Sequence, residues 1–347
     1  MKVLNLFLAS VVPALIHMVP QAQGEVLYEE SFSAIRFPRA EDGLRNYGGY
    51  SANTNPAGAD GDMVPGSLNY VDSAGNALAT SGKHVLVDAD EETGTVSNVH
   101  VLAAPWAISG NTIWVSFVGR QTAGTTARFC NFGLRSASAN PTEIVAIGMP
   151  SNATGQFWRI YDRSGTAPFN FVMTEVPTTT QVFVLARMEA NVDAGELERY
   201  TMWLNPRLDQ APNEAAGYTF TSPVSDITSW NAVTEIRLAA GGLPSTPSAW
   251  KVDEVRIATT RQEVTTYLTM DFTQVQLDTS GVATISWAAA PGAQDTVQWS
   301  TDLTDWQPYP ASTRINPDGA ETATWTTPPS LLSRLFLRVT RTAPTRS

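Results

Sequence analysis

The chain has 347 residues, with 22 basic and 33 acidic side chains and a formal net charge of −11 at pH 7. Nucleic-acid binding is excluded because the acidic chain repels phosphate backbones and contains no cluster of Lys and Arg. Single hydrophobic cores stop growing at about 250–300 residues, so a chain of this length is expected to form two domains.

Residues 1–24 have the features of a signal peptide. Lys2 gives the positive start, VLNLFLASVVPALIHMV is uncharged, and Ala22-Gln23-Gly24 offers small residues for cleavage. The apolar stretch contains Pro13 and is shorter than the about 20 residues of a membrane-spanning helix. We therefore predict a secreted protein, extracellular or at the cell surface. Cleavage would remove one basic and no acidic residue.

Residues 25–262 read as a succession of short strands. Segments such as HVLVDAD, TVSNVHVL and EIVAIGM are rich in β-branched residues and are separated by Gly, Pro, Asn and Asp. TIWVSFVGR is apolar on both faces, which predicts a central strand covered on both sides. QVFVLARMEA and ERYTMWLN flank an acidic turn and are predicted to form a hairpin. The predicted class is all-β, a large antiparallel sandwich.

The C-terminal part reads as a second, smaller β-sandwich module. A linker is predicted at residues 263–267, the module at 268–342 with strands VATISW, DTVQWS, ETATW and RLFLRV, and a tail at 343–347. In DTVQWS, Val297 and Trp299 share the apolar face. We interpret Trp299 as core and Trp306 as a side chain folded over it, in preference to an aromatic platform for sugars.

Several segments carry a family resemblance. TMWLNPRLDQAP, TEIRLAAGG and WKVDEVRIATTRQEV, together with YEESFSA, GSLNYVDSAGNAL and GKHVLVDA, resemble laminin-G-like, concanavalin A-like jelly-roll domains of exported bacterial proteins. The resemblance covers residues 25–262 and implies a two-sheet antiparallel sandwich of roughly a dozen strands. Members of such families bind sugars, bind calcium, adhere, or have no known activity.

The C-terminal module has a resemblance of its own. SWAAAPGAQDTVQWSTDLTDWQPY, followed by LFLRVT, is similar to the fibronectin type III-like modules found at the C-termini of exported bacterial proteins. The resemblance covers residues 268–342. It implies a small β-sandwich appended to the larger one.

No catalytic constellation is visible in the sequence. His84 and His100 each stand alone among apolar neighbours, and G-x-S-x-G and H-E-x-x-H are absent. The E-x-D-x-E spacing of sandwich-fold polysaccharide hydrolases is absent too. Glu254 is best interpreted as a strand carboxylate paired with Arg256. The lone Cys130 lies between apolar residues and is predicted to be a buried small hydrophobe. These features favour a protein without enzymatic activity.

Calcium is the one cofactor that the sequence leaves open, because acidic loops offer the oxygen ligands it prefers. The stretch 88–99 begins like an EF-hand loop, but it has Thr where glycine is needed at position six and Val where a bidentate glutamate is needed at position twelve. A looser site remains, with solvated loops as the alternative. Its candidate ligands are Asp60, Asp62, Asp88, Asp90 and Glu91.

The best candidate for sugar binding is FWRIYD with its adjoining loop. Phe157, Arg159 and Tyr161 share one face of this predicted strand, and Asp162 begins the loop, so aromatic and charged groups lie side by side. Trp158 takes the other face together with the residue after Arg159. Alternation alone does not decide which face is buried.

Three functions are compatible with the sequence. The favoured one is an exported, non-enzymatic binding or adhesion protein for carbohydrate, such as a polysaccharide or glycan, or for a cell-surface or extracellular polymer. The second is a polysaccharide-degrading hydrolase or lyase with dispersed carboxylates. The third is a purely structural surface protein, for which self-association through edge strands is an open route.

Overall fold

The computed structural model of the chain describes most of the strands and the connections packed on them. The described residues are 25–30, 50–52, 61–80, 83–89, 95–102, 106, 110–124, 128–136, 142–150, 155–162, 171–190, 192, 198–222, 233–242, 248–268, 272–277, 283–288, 294–300, 305, 307–308, 314–315, 322–326 and 336–342. The predicted signal peptide and tail lie outside these residues.

Strands dominate the described residues. In chain order they are β1 (Val26–Glu30), β2 (Tyr50–Ala52), β3 (Gly61–Pro65), β4 (Ala77–Leu78), β5 (Lys83–Ala89), β6 (Thr95–Val101), β7 (Thr112–Ala123), β8 (Arg128–Ser136), β9 (Thr142–Met149), β10 (Phe157–Asp162), β11 (Phe171–Pro177), β12 (Val182–Glu189), β13 (Arg199–Leu204), β14 (Tyr218–Thr221), β15 (Val233–Gly242), β16 (Ser248–Ala258), β17 (Tyr267–Leu268), β18 (Phe272–Leu277), β19 (Ala283–Ala288), β20 (Gln294–Ser300), β21 (Gln307–Pro308), β22 (Arg314–Ile315), β23 (Thr322–Thr326) and β24 (Phe336–Thr342). The helices are α1 (Arg261–Val264) and a 3-10 turn at Glu214–Ala216.

Two large sheets form the N-terminal sandwich. Among the described strands, eight make sheet A, in the order β14-β13-β12-β7-β16-β5-β3 with β1 also paired to β16. Seven make sheet B, in the order β11-β10-β9-β8-β15-β6-β2. Neighbouring strands run antiparallel in both sheets. The predicted all-β class and antiparallel jelly-roll sandwich are therefore confirmed.

The main hydrophobic core lies between sheets A and B. The ring of Phe117 on β7 lies 5.6 Å from that of Phe132 and 6.1 Å from those of Trp158 and Trp250. Two of these partners belong to sheet B and one to sheet A, so the rings interlock the layers, and all four side chains are fully buried. Each such burial contributes roughly 1.5–3 kcal/mol or more. Cys130 belongs to the same core, as predicted.

The predictions for individual strands hold. β7 lies between β12 and β16, with Val115 in the main core and Val118 in a second core on the opposite face. β12 and β13 form the predicted hairpin, in register from Val184 opposite Leu204 onwards. Within the described residues, no helix is long and apolar enough to cross a membrane.

A second hydrophobic core covers the face of sheet A that points away from sheet B, here called the outer face of sheet A. The segment that covers it is residues 67–80, here called the covering segment. This core contains buried side chains of the covering segment, the sheet and the segment around α1: Leu68, Tyr70, Leu78, Val118, Phe183, Leu185, Trp203, Leu208, Ala258 and Val264. The outer face of sheet A is thus a layered, largely enclosed surface.

The predicted linker, residues 263–267, packs on this second core. Ser116 Oγ on β7 donates a 2.7 Å hydrogen bond to the Val264 carbonyl at the end of α1. β17 then pairs with β4 of the covering segment. These residues contact the large sandwich, and the domain boundaries stay predictions.

Two small sheets follow, β18-β19-β23 and β21-β20-β22, with β24 also paired to β20. A buried cluster joins them: Trp287 Nε1 donates to Asp295 Oδ2 at 2.7 Å, and Arg341 Nε donates to Asp295 Oδ1 at 2.7 Å. Val297 is buried, in line with the predicted alternation of its strand. The predictions for the side chains of Trp299 and Trp306 lie outside the described residues.

Candidate functional site

The predicted sugar-binding residues lie on β10, next to the edge of sheet B. Trp158 on this strand points into the main core. Arg159 and Tyr161 point to the opposite face, as the alternation predicts, yet they are 3% and 0% exposed. Asp162 is 2% exposed and Phe157 is half-buried. Both faces of the strand are therefore enclosed.

These side chains contact other protein groups. Tyr161 Oη accepts a 2.8 Å hydrogen bond from Asn131 Nδ2. Arg159 Nη2 donates to the Gly155 carbonyl at 3.2 Å. Asp162 Oδ2 accepts a hydrogen bond from Ser222 Oγ. The structure brings Arg159 and Tyr161 together on one face of β10, and their role in sugar binding stays a prediction.

An exposed aromatic beside this group escaped the sequence reasoning. Phe171 on the edge strand β11 is 48% exposed, and its ring centroid lies 5.0 Å from the guanidinium carbon of Arg159. Phe171 is the register partner of Tyr161. The alternation in FVMTEVP, which exposes every second residue, was the signal that could have identified it.

Two acidic residues on the outer face of sheet B are paired with arginines. Arg237 Nη1 lies 3.1 Å from Glu143 Oε1, and Arg135 Nη1 lies 2.9 Å from Glu235 Oε2. Gly133 makes room for the first pair, because a Cβ there would lie 2.4 Å from Glu143 Oε1. Both of these carboxylates are engaged by guanidinium groups, while Glu175 on β11 is exposed.

The predicted calcium ligands are partly described. Asp62 and Asp88 are both exposed. Asp62 is the register partner of Leu86, so it shares a face of sheet A with Asp88 two residues further along β5. Although the residue as a whole is exposed, partial desolvation of its carboxyl group raises the pKa of Asp62. Asp60, Asp90 and Glu91 lie outside the described residues, and among the described residues no group of three potential metal ligands occurs.

A cavity of about 540 Å³ opens on the outer face of sheet A. Four separate stretches of chain form it: the covering segment, the end of β7, the start of β12 and the residue after β13. The lining residues are Asn69, Tyr70, Val71, Ser73, Val118, Arg120, Gln181, Val182, Phe183 and Asn205. The volume lies within the about 300–1,000 Å³ of small-molecule sites.

The floor of the cavity is apolar and already packed. The ring of Tyr70 stacks on that of Phe183, with centroids 5.0 Å apart and planes at 16°. Tyr70 Oη donates a 2.7 Å hydrogen bond to the Pro206 carbonyl, and burial raises the pKa of this phenol, so it stays protonated. Val118 completes the floor. The stacked rings of Tyr70 and Phe183 therefore fix each other and form the floor of the cavity.

The walls carry neutral hydrogen-bonding groups. Gln181 Nε2 donates to the Asn69 carbonyl at 2.9 Å, which leaves the Gln181 Oε1 atom as an acceptor. Asn205 Oδ1 accepts the Phe183 N–H at 2.8 Å, which leaves its Nδ2 group as a donor. Asn205 adopts φ +53°, a left-handed conformation that asparagine tolerates better than most residues. Ser73 is exposed at the rim.

Buried charges fix the covering segment over the sheet. Leu68 N–H donates to Asp253 Oδ2 at 2.7 Å, and Arg256 Nη2 donates to the Ala79 carbonyl at 2.8 Å. Arg256 Nη2 also lies 2.7 Å from Glu254 Oε2, which confirms the predicted carboxylate–arginine pair. A β-bulge between Asp253 and Arg256, with Glu254 at φ +54°, places these groups on the side of the covering segment.

The remaining titratable residues of the sequence analysis are structural. Burial raises the pKa of the Cys130 thiol to about 12, and its Sγ lies 3.1 Å from Ser248 Oγ. His84 is buried with its Nδ1 against the Gly66 carbonyl, and the ring of His100 packs against Tyr28 at 5.0 Å. The two histidines lie on different sheets, His84 on β5 of sheet A and His100 on β6 of sheet B.

Comparisons with known proteins give a similarity in solved structures alone. No family model matches the chain, and no curated protein matches it. The conserved carbohydrate esterase vb_24B_21 from Shiga toxin-encoding bacteriophage phi24B is 10% identical over 69% of this chain and 100% of its own, with a TM-score of 0.40. A beta-1,3-glucanase from Mycobacterium marinum is 11% identical over 68% and 100%, with a TM-score of 0.36. The CBM2 module of the Lactobacillus casei BL23 phage J-1 evolved Dit is 10% identical over 68% and 96%, with a TM-score of 0.33. At these values the functional argument rests on the cavity itself.

Proposed function

We propose that the chain is an exported, non-catalytic protein that binds carbohydrate in the cavity on the outer face of sheet A. The observation that carries the proposal is the composition of the described lining: amide side chains, the Ser73 hydroxyl and one guanidinium group surround an apolar floor. Among the described lining residues there is no acid, imidazole or thiol.

This lining complements a sugar for a chemical reason. Each sugar hydroxyl both donates and accepts hydrogen bonds, and a primary amide likewise offers both functions. Gln181 and Asn205 therefore supply an acceptor and a donor. The Asn69 amide, in contrast, is engaged within the protein, where its Nδ2 donates to the Ser67 carbonyl and its Oδ1 accepts from Thr80 Oγ1. The apolar floor of Val118 and Phe183 suits the C–H faces of a pyranose ring. Sites that combine an apolar surface with a few placed polar groups are typical ligand sites.

The same lining argues against hydrolysis. Glycosidases use a pair of carboxyl groups on either side of the scissile bond. The nearest acid in the strand register is Asp253, the partner of Val118 on β16. It is fully buried, and its two oxygens accept the N–H groups of Leu68 and Glu254. Asp253 therefore holds the backbone and is closed to a substrate.

A bulky substitution at the rim tests the proposal. Ser73→Trp places an indole at the cavity mouth without touching the core, and Ala74→Trp adds the same indole one residue away, at an exposed position outside the lining. Wild-type protein is first screened on an array of neutral and acidic glycans, and each hit is then titrated calorimetrically. We expect Ser73→Trp to abolish binding and Ala74→Trp to retain it. Hits that survive Ser73→Trp unchanged, or an array without hits, would refute the proposal.

A further inference from the structure

We infer that the carbohydrate bound in this cavity is anionic, and that Arg120 holds its negative group. The inference rests on the proposed carbohydrate-binding function and narrows its ligand class. A uronate carboxylate and a sulfate ester present the same chemistry to a guanidinium group, and the experiment below separates them.

Arg120 has no hydrogen-bond or ion-pair partner among the described residues. It is half-buried at the end of the apolar run of β7, and its Nε atom is shielded from solvent without a hydrogen-bond partner among the described residues. Every other arginine whose side chain the structure describes forms a hydrogen bond or an ion pair: Arg135, Arg159, Arg187, Arg199, Arg207, Arg237, Arg256, Arg261 and Arg341. Arg120 is thus the exception within the described part of the chain.

An unused guanidinium in a half-buried place has an energetic cost. Desolvated N–H groups that lack partners lose the hydrogen bonds that they made to water. Carboxylates and sulfates accept two parallel N–H groups from the planar fork of arginine, and such charge-assisted bonds are stronger than neutral ones. An anionic ligand would therefore supply the partner that the protein itself withholds.

A second cationic residue lies next to Arg120. Lys251 on β16 is the direct cross-strand partner of Arg120, so two cationic residues lie side by side on the outer face of sheet A. Among the described residues that line the cavity, Arg120 is the one with a charged side chain. The distant acidic residues that give the net charge of −11 act weakly here, because charges further away than about 8 Å are screened at physiological ionic strength, and the nearer Asp72 accepts backbone N–H groups.

The experiment compares matched acidic and neutral ligands on matched variants. The probes are oligomers of galacturonate, glucuronate and mannuronate, the same oligomers after reduction of each carboxyl group to a neutral alcohol, and O-sulfated forms of the neutral oligomers. The proteins are wild type, Arg120→Gln and Arg199→Gln. The last removes an arginine charge at the opposite end of β13 from Asn205, where Arg199 pairs with Glu189. Calorimetry gives the dissociation constants.

We expect wild type to bind at least one uronate oligomer and to lose about ten- to hundredfold in affinity when the carboxyl groups are reduced, since a hydrogen bond to a charged group is worth that ratio. Arg120→Gln should cause a similar loss with the acidic probe, and Arg199→Gln should not. Arg120-dependent binding of sulfated oligomers alone would support the inference and assign the anion to sulfate.

Two results would overturn it. Equal binding of acidic and reduced oligomers, unaffected by Arg120→Gln, would refute the anionic ligand and leave carbohydrate binding standing. The second result is that no oligomer of the panel binds, while neutral glycans on the array bind and Ser73→Trp blocks them. This result would also refute the anionic ligand and leave carbohydrate binding standing. If the array is also empty, the proposed function fails together with the inference.

Discussion

The outer faces of the two large sheets both carry polar side chains, but they use them differently. On sheet B, Glu143 and Glu235 are each engaged by an arginine within about 3 Å. In the cavity on sheet A, Arg120 has no such partner among the described residues. The comparison shows that residue type alone does not make a candidate site. A polar group becomes available to a ligand when the fold leaves it without an internal partner.

Buried polar contacts hold the covering segment on the outer face of sheet A. On sheet A, the covering segment is fastened at one end through Asp253 and at the other through Arg256, and the cavity lies beneath the stretch between these attachments. Buried charges that attach backbone are structural elements. Substitution of Arg256 or Asp253 is therefore expected to lower the free energy of unfolding more than the other substitutions considered below.

The largest expected effect follows removal of Arg256. Its side chain is 5% exposed and neutralises Glu254, whose side chain is 1% exposed. Arg256→Ala leaves a buried carboxylate without its cation and frees the Ala79 carbonyl, so we expect a loss of about 3–5 kcal/mol in the free energy of unfolding. Chemical denaturation measures this loss.

The control for that variant is Arg207→Ala. Arg207 pairs with Asp209, but their side chains are 40% and 28% exposed. Such surface pairs contribute little, and no measurable change in stability is expected. Similar stabilities for the two variants would contradict the structural role of Arg256.

The contribution of Asp253 to stability is expected to depend on pH. Burial, and then the neighbouring Glu254, raise the pKa of Asp253 well above its usual value. The folded state therefore binds this proton more tightly than the unfolded chain does. The stability contributed by Asp253 is complete below the pKa of the unfolded chain. It is lost as the pH rises through the pKa of the folded state.

Asp253→Ala tests that sign. At acidic pH the variant leaves two backbone N–H groups unpaired, at about 1–3 kcal/mol each. The difference from wild type should shrink as the pH rises to neutral. Asp209→Ala is the opposite control, because the hydrogen bond from Arg207 lowers the pKa of Asp209 and its difference should grow with pH. A deficit of Asp253→Ala that grows with pH would disprove this account.

On sheet B we expect a smaller effect on stability and none on binding. Glu143→Gln weakens the pair with Arg237 and should cost about 1–3 kcal/mol, since a nearly buried charge-assisted hydrogen bond is lost. Gly133→Ala should act on the same pair, because its Cβ would displace the Glu143 carboxylate. The double variant should therefore cost less than the sum of the two. Additive losses, or altered glycan affinity, would count against a closed face.

The smallest effect on stability is expected at Arg120. Arg120→Gln removes a guanidinium that has no described internal partner, so the free energy of unfolding should change by no more than about 0.5 kcal/mol while glycan affinity falls. Thermal denaturation without ligand, beside the binding titrations, measures both. A large destabilisation would show that Arg120 serves the fold and not a ligand.

Strand periodicity predicted the fold well. Apolar residues on both faces of TIWVSFVGR indicated a central strand, and β7 has a core on either side. Sequence reasoning did not anticipate the second core, because the covering segment has no regular period: Leu68, Tyr70 and Leu78 are buried at irregular spacing. Its packing depends on attachments to β16 that lie more than a hundred residues away in sequence.

The candidate site could not be predicted for a related physical reason. Four stretches distant in sequence line the cavity, and Arg120 reads in isolation as an ordinary charged residue near a strand end. On β10, alternation separated Arg159 and Tyr161 from Trp158, but it cannot reveal that the side chains on both faces are buried. A strand pattern records the faces of a sheet and not what lies beyond them.

Hydrogen–deuterium exchange in the presence of a bound glycan tests the central claim most directly, because it compares both faces in one measurement. We predict slower exchange in peptides spanning residues 67–73 and 181–185, no change in peptides from β8 to β10, and no ligand effect in Ser73→Trp. Ligand protection over Phe157–Asp162, with the cavity peptides unchanged, would contradict the account and place the site on sheet B.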